Sequence, residues 1–319
     1  MVLDTEVGEL RYVGDIKRRL TSPRLEHTLL LLAAEHSQPG KRIPRMLFSD
    51  YIPPSLGQRL EEAGVDYVDA AGNVLIRKPG RLYLFRSGAK PPRLREQTPA
   101  KLSTRSSLQV LFVLLQEPTA TRLSYRELAT QSGVALGSVA GIMAELKRKG
   151  HLVRRRDGWE LARRRALLDL WVSGYSERLR PALVLGRFQP PESDLTETLA
   201  RVTDAAAARH LEYAVTGGVA ADTLTQHYRG EQLTLFVSTW SRDLLQALRW
   251  LPSARGPVML LRYFSPAVAS QRAGPRGIVL AQPLLVYAEL LHDGSERARE
   301  VARQLYEQHL APLIDDDAA

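Results

Sequence analysis

Cysteine is absent from all 319 residues. The absence excludes a disulfide framework, a thiolate nucleophile and any zinc site built on cysteine. Histidine is sparse as well: His27, His36, His151, His210, His227, His292 and His309 are scattered without metal-ligand spacing, so neither a metal nor another cofactor is expected. Long apolar runs are missing. The longest, "TLLLLAA" and "LQVLFVLL", are far too short to span a bilayer, which excludes a membrane helix. The opening "MVLDTEVGEL" carries acids where a signal or transit peptide needs a basic segment, so the expected location is the cytoplasm. Nor is there a Walker loop, G-x-G-x-x-G, G-x-S-x-G or H-E-x-x-H. On that ground the chain is not expected to be an enzyme.

What is present is length and positive charge. A chain of this size exceeds what one core usually organises, so two or three domains are expected. The formal net charge is +9, which favours an anionic partner. Residues 101 to 165 hold 13 Lys and Arg against 5 Asp and Glu. That balance of +8 leaves only +1 for the other 254 residues, so the basic character belongs to one segment.

Periodicity divides the chain in three. Up to residue 97 the reading is an α/β domain. "LEHTLLLLAAEH" has helical spacing, "RIPRMLFSDYI" is extended, and "PPSLGQRLEEAG" is a helix opened by prolines and closed by Gly64. "VDYVDAAGNVLIR" and "RLYLFRSG" alternate as strands around turn residues. The stretch "SGAKPPRLREQTPAKLSTRSS" lacks a period and reads as a linker. From 98 to 165 the pattern is helical. Leu108, Leu111, Phe112 and Leu115 form one face ending at Pro118, Ser124 and Glu127 have capping-box spacing, and Gly133 separates "YRELATQS" from "ALGSVAGIMAELKRK". "HLVRRRDGWELA" then carries a hairpin signal at Asp157-Gly158. Three helices and a hairpin spell a winged helix-turn-helix. Residues 166 to 319 mix helices and strands and end on an amphipathic helix whose apolar face is Ala298, Val301, Ala302, Leu305 and Tyr306.

The central segment supplies the candidate DNA contacts. Lys147, Arg148 and Lys149 end the second helix of the motif, and Arg154, Arg155 and Arg156 line an arm of the hairpin. With Arg105, Arg122 and Arg126 they can neutralise phosphates. The start of the recognition helix offers Ala135, Leu136, Gly137, Ser138, Ala140 and Gly141 to a groove. Ser138 is the one polar reader among them, and a weakly discriminating one. Double-stranded DNA is the expected partner, bound by a homodimer because many such regulators read near-palindromes.

The flanking domains look like enzyme shapes without enzyme residues. Asp69 after a strand suggests an endonuclease-like domain, yet "RLYLFRSG" lacks the second acid and the lysine that metal-dependent cleavage requires. Asp69 and Asn73 are expected to bond the turn backbone instead. "TGGVAADTLT" has the strand-to-helix Gly-Gly turn of a nucleotidyltransferase-like domain. The following "QLTLFVS" carries no metal-binding acid pair, so that domain is expected to be inert. A nuclease acting through the first domain remains the alternative.

In their order of appearance, "AGVDYVDAAGNVLI", "LSYRELATQSGVALGSVAGIMAELKRKGHL", "LLDLWVSGYSERLRPALVLGRF", "TGGVAADTLT" and "PLLVYAELLHDGSERAREVARQLYEQHL" resemble the AbiE-type antitoxin and transcriptional-regulator family of type IV toxin–antitoxin systems. The resemblance covers most of the chain. It implies a winged-helix repressor of its own operon, a cognate toxin as a further partner, and no catalytic residues; a second alternative is an antitoxin that works chiefly by opposing that toxin or its target. The expected fold is therefore α/β plus α+β and multidomain, with a central winged helix between an endonuclease-like domain and a nucleotidyltransferase-like one.

Overall fold

A computed structural model describes residues 2–5, 8–17, 20, 25, 29, 44–80, 82–89, 101–156, 158–226, 230–239, 242–274 and 277–315. It divides into two compact units, residues 1–98 and 99–319, and mixes helices with several sheets.

In the first unit, β1 (Val2–Thr5) and β2 (Gly8–Arg11) form a separate antiparallel pair. A five-stranded sheet follows in sequence order: β3 (Val13–Lys17), β4 (Arg45–Ser49), β5 (Asp66–Asp69), β6 (Val74–Lys78) and β7 (Leu82–Arg86). The first three run parallel and the last two antiparallel. Between β4 and β5 the helix α1 (Pro54–Glu62) starts on a proline, whose missing N–H is no loss there. It buries Leu56 and Leu60 against Leu47, Tyr67 and Leu75 of the sheet. Tyr12, Met46 and Ile76 form a smaller core cluster. Most of the helix expected in "LEHTLLLLAAEH" lies outside the described residues; Leu25 and Leu29 within it are helical.

The second unit opens with α2 (Arg105–Gln116), α3 (Tyr125–Ser132) and α4 (Leu136–Arg148), followed by the hairpin β8 (Leu152–Arg155) and β9 (Gly158–Leu161). Helix α5 (Arg164–Gly174) continues through a π turn at Tyr175–Leu179 into the short α6 (Arg180–Leu183). Then come β10 (Val184–Gln189), α7 (Leu195–Arg209), β11 (Tyr213–Thr216), α8 (Gly217–Thr225), β12 (Leu233–Val237), α9 (Arg242–Leu248), β13 (Leu251–Pro252) and β14 (Val258–Arg262). The chain closes with β15 (Ala269–Ala273), β16 (Val279–Ala281), α10 (Pro283–Asp293), α11 (Glu296–Leu305) and α12 (Ala311–Ile314). The seven strands pair in the order β13-β10-β14-β12-β11-β16-β15. The apolar face expected on the C-terminal helix is all buried: Ala298, Val301, Ala302, Leu305 and Tyr306.

Helices and sheet of this unit are joined through Phe264 and Ser265, just beyond β14. Gln109 of α2 donates its Nε2 to the Phe264 carbonyl at 2.8 Å, and the Ser265 hydroxyl donates to the Gln131 carbonyl of α3. The Phe264 ring meets Phe112 edge-on at 5.1 Å and Phe236 of β12 at 6.1 Å. From Phe112 the stack continues to Trp171 of α5 and Tyr175 of the π turn. Trp171 Nε1 donates to the Leu108 carbonyl at 2.8 Å, so the buried indole is not left unsatisfied.

Gly133 sits at the turn between α3 and α4 with φ +67°, and a Cβ there would run into the Phe264 carbonyl. Gly150 has nearly the same φ, +69°, with open space around it. Left-handed backbone alone costs a substituted residue about 1–2 kcal/mol, and for a unit of this size 1 kcal/mol moves the melting temperature by about 2–4 °C. Gly150→Ala should lower the melting temperature by that backbone cost, and Gly133→Ala by distinctly more. Equal shifts in a calorimetric melt would show that the turn does not bear on Phe264.

Candidate nucleic-acid interface

Local chemistry fixes α3 and α4. Ser124 Oγ accepts from the Glu127 backbone N–H at 3.3 Å while Glu127 Oε2 accepts from the Ser124 N–H at 2.8 Å, a complete capping box. Leu128, Val139, Ile142 and Leu146 are buried and Val134 is half-buried, which sets the crossing of the two helices. The other side of α4 is open: Ala135, Leu136, Gly137, Ala140, Gly141 and Ala144 are exposed and Ser138 is half-buried. Leu136 is 47 % exposed. A Cβ added at Gly137 or Gly141 would meet nothing within 4 Å. The packing of this chain gives neither position a reason to be glycine.

The hairpin is pinned at its base and basic towards its tip. Leu152 and Leu161, paired across the strands, are both buried. Arg154 pairs with Trp159 in register, and Lys147 of α4 sets its ammonium 3.9 Å from the Trp159 ring centroid. That cation–π contact ties hairpin to helix. Arg155 faces Gly158, which opens β9; Asp157 of the expected turn lies outside the described residues.

The basic residues expected to grip phosphate fall into two groups. Arg148 donates Nε and Nη2 to the two oxygens of Glu145 at 2.9 and 2.6 Å, and Lys149 Nζ lies 3.7 Å from the same carboxylate. The hydrogen bond from Arg148 holds the Glu145 carboxyl below the ordinary carboxylate range. Arg155 stands 3.9 Å from Glu160. Arg105, Arg122, Arg126, Arg154 and Arg156 are exposed and have no ion pair among the described residues. Sequence reasoning missed Glu145 and Trp159. Glu145 was open to it, being three and four positions before Arg148 and Lys149 on one helix face; Trp159 was not, because its contact depends on how the hairpin folds back.

The two other motifs find structural partners. Asp69 Oδ1 accepts from the Asn73 backbone N–H at 2.8 Å, and Oδ2 accepts from the Ile52 N–H at 2.8 Å and Asn73 Nδ2 at 2.7 Å. Among the described residues no group of three or more His, Asp and Glu is arranged to hold a metal ion. Gly217 and Gly218 start α8 at the rim of a cleft of about 520 Å³, which Arg180, Arg187 and Arg297 share with Glu231, Glu289 and Asp293. The charges balance. Glu289 is tied to Arg180 at 2.8 and 3.0 Å and to the Tyr175 hydroxyl at 2.6 Å, and β12 presents no acid to the cleft.

With these positions fixed, comparison with known proteins places the C-terminal half. Residues 160–311 match the family described as "Transcriptional regulator, AbiEi antitoxin, Type IV TA system". The resemblance stated from sequence therefore holds over this stretch, which begins within β9 and takes in α5, the seven-stranded sheet and α10 to α11. No curated protein and no solved structure matches the chain. The AbiEi-type stretch contains Phe264 and Ser265, the residues to which the helix-turn-helix is fastened. No described helix is long and apolar enough to cross a membrane.

Burial lowers the pKa of two histidines of this unit, His151 beside the hairpin and His292 near the cleft; Arg180 adds to the effect on His292. In the unfolded chain both titrate near about 6.5. Below that pH the unfolded state takes up protons that the folded state refuses, so their contribution is present at neutral pH and lost on acidification. The denaturant midpoint should fall between about pH 7.5 and 5.5, and replacing His151 and His292 together by Gln should flatten that dependence. A flat profile in the unaltered protein would contradict it.

Proposed function

We propose that the protein is a DNA-binding transcriptional regulator of the AbiEi antitoxin type, which grips duplex DNA through a winged helix at residues 101–165 and does so as a two-fold dimer. The observation that carries the reading is the convergence of free charge on one motif. Arg105, Arg122, Arg126, Arg154 and Arg156 lie exposed on or beside a capped helix-turn-helix and its hairpin, with no carboxylate among the described residues to satisfy them. Arginine clusters in that setting are phosphate ligands. The family match over 160–311 supports the regulatory role and implies a cognate toxin as a further partner.

Base reading has little to work with. The open side of α4 is alanine, glycine and one leucine, with Ser138 half-buried, so the helix seats closely and carries few donors or acceptors. Affinity in this reading comes from phosphates, and selectivity from DNA shape, from hairpin arginines at a groove edge, and from half-site spacing. Catalysis is not part of it. Both carboxylate oxygens of Asp69 are engaged, by Asn73 across its own turn and by the Ile52 backbone N–H, which disfavours a metal-dependent nuclease in the first unit.

Titration of duplex DNA over a range of salt tests the reading. Each phosphate contact contributes about 0.9 to the slope of log affinity against log salt. Changing Arg154, Arg155 and Arg156 together to Ala should weaken binding across unrelated sequences and reduce that slope by about 2–3. A slope unchanged by the triple substitution would remove the hairpin from the interface. Cleavage of any duplex, in Mg²⁺ or Mn²⁺ and lost in Asp69→Ala, would replace the regulator by the nuclease.

A further inference from the structure

Among the described residues the first unit has an open sheet edge at β7, whose one charged residue, Arg86, stands at its end. Strand β7 pairs with β6 on one side and is last in the sheet order. Tyr83 is 66 %, Leu84 46 % and Phe85 50 % exposed, so large apolar groups stand free on both faces of the strand. Edge strands are ordinarily blunted by charge, proline, a bulge or a covering element. None of these lies within Leu82–Phe85, and the register with β6 is unbroken. The opposite edge differs: β3 has Gly14 and Asp15 at its centre.

Strand β7 is complementary to itself. If a second β7 runs antiparallel to it about a two-fold axis at Leu84, Leu84 faces Leu84, Tyr83 faces Phe85 on both sides of the axis, and Leu82 faces Arg86. No arginine then faces arginine. The aromatic pairs lie on one face of the sheet and the leucines on the other, the cross-strand combinations that stabilise antiparallel ladders. The neighbouring registers spoil this: centring on Phe85 sets Arg86 opposite Leu84, and pairing β7 with β3 would be head-to-tail and would not close.

We infer that β7 is the homodimer interface, joining the five-stranded sheets of two chains into one continuous sheet. The inference rests on the two-fold dimer proposed above and supplies its contact. Five residues of edge bury less than the roughly 800 Å² per partner of a standard interface, so the dimer is weak in isolation and is reinforced when both copies hold one DNA site.

The cysteine-free chain gives a clean test. In the proposed register the two Leu84 Cα atoms lie about 4.5–5.5 Å apart, within the span of a disulfide. Leu84→Cys introduces the single thiol of the chain, and mild copper–phenanthroline oxidation of the full-length protein should yield a dimer on a non-reducing gel. Ile16→Cys on β3 and Leu251→Cys in the second unit are controls at positions more exposed than Leu84, and they should stay monomeric. Adding Tyr83→Lys and Phe85→Lys to Leu84→Cys should abolish the link while the reduced protein keeps its circular dichroism spectrum. Absence of the Leu84→Cys dimer, or equal crosslinking of all three thiols, overturns the inference. Sedimentation of the unaltered chain at the same concentration then separates the causes: a dimer moves the contact elsewhere, and a monomer removes the two-fold reading itself. The salt dependence of DNA binding is measured independently of both.

Discussion

The second unit depends on what happens at one backbone carbonyl, that of Phe264. It receives the Gln109 side chain of α2 and lies where a side chain at Gly133 would have to go. The next residue, Ser265, holds the end of α3. A helix-turn-helix is ordinarily closed by its own three helices, with a groove-facing side free to move on a linker. Here the turn itself is fixed to the residues that follow β14, an interior strand of the seven-stranded sheet. The aromatic row Phe236, Phe264, Phe112, Trp171 and Tyr175 runs through the same point, and each such pair adds about 0.5–1.5 kcal/mol beyond its buried area.

Much of the motif was legible because it is local. The capping box needs only Ser124 and Glu127 three residues apart, the turn needs a residue that accepts positive φ, and the packing faces follow from helical spacing. The C-terminal amphipathic helix was readable for the same reason. What joins them was not. Gln109 and Phe264 are separated by 155 positions and Gln131 and Ser265 by 134, and nothing in periodicity links glutamine to a distant carbonyl. The irregular pair β15 and β16 escaped sequence reading too, since their register shifts between Ala269 and Ala273 and neither carries an alternating apolar pattern.

Charge shows the same division. Counting lysines and arginines located the basic segment correctly in the chain but treated them as equivalent. Glu145 is buried and holds Arg148 and Lys149, and Trp159 takes Lys147. These three residues are thereby positioned, with less charge to offer a phosphate. The arginines that have no such partner among the described residues stand elsewhere, at Arg105, Arg122, Arg126, Arg154 and Arg156. Exposed ion pairs are worth little in water, typically about 0–1 kcal/mol, so the pairing of Arg155 with Glu160 at 3.9 Å is easily exchanged for a stronger anion.

The glycines of α4 bear on how such a surface would select its target. A mid-helix glycine costs about 0.5–1 kcal/mol relative to alanine, and Gly137 and Gly141 recover none of it, because nothing in the chain approaches either. Alanine at both positions would make a more stable helix without a clash. In the proposed reading their use lies outside the folded chain, in letting DNA come closer to the helix backbone than a methyl group allows. A helix that smooth discriminates poorly between bases and well between widths and curvatures of a groove. In the proposed reading a second copy compensates, since one contact of this kind carries little information, whereas two held at a fixed spacing turn weak shape preferences into a defined site. In the proposed reading the bare face of α4 and the contact at strand β7 act together: what α4 lacks in base contacts, a dimer supplies through geometry.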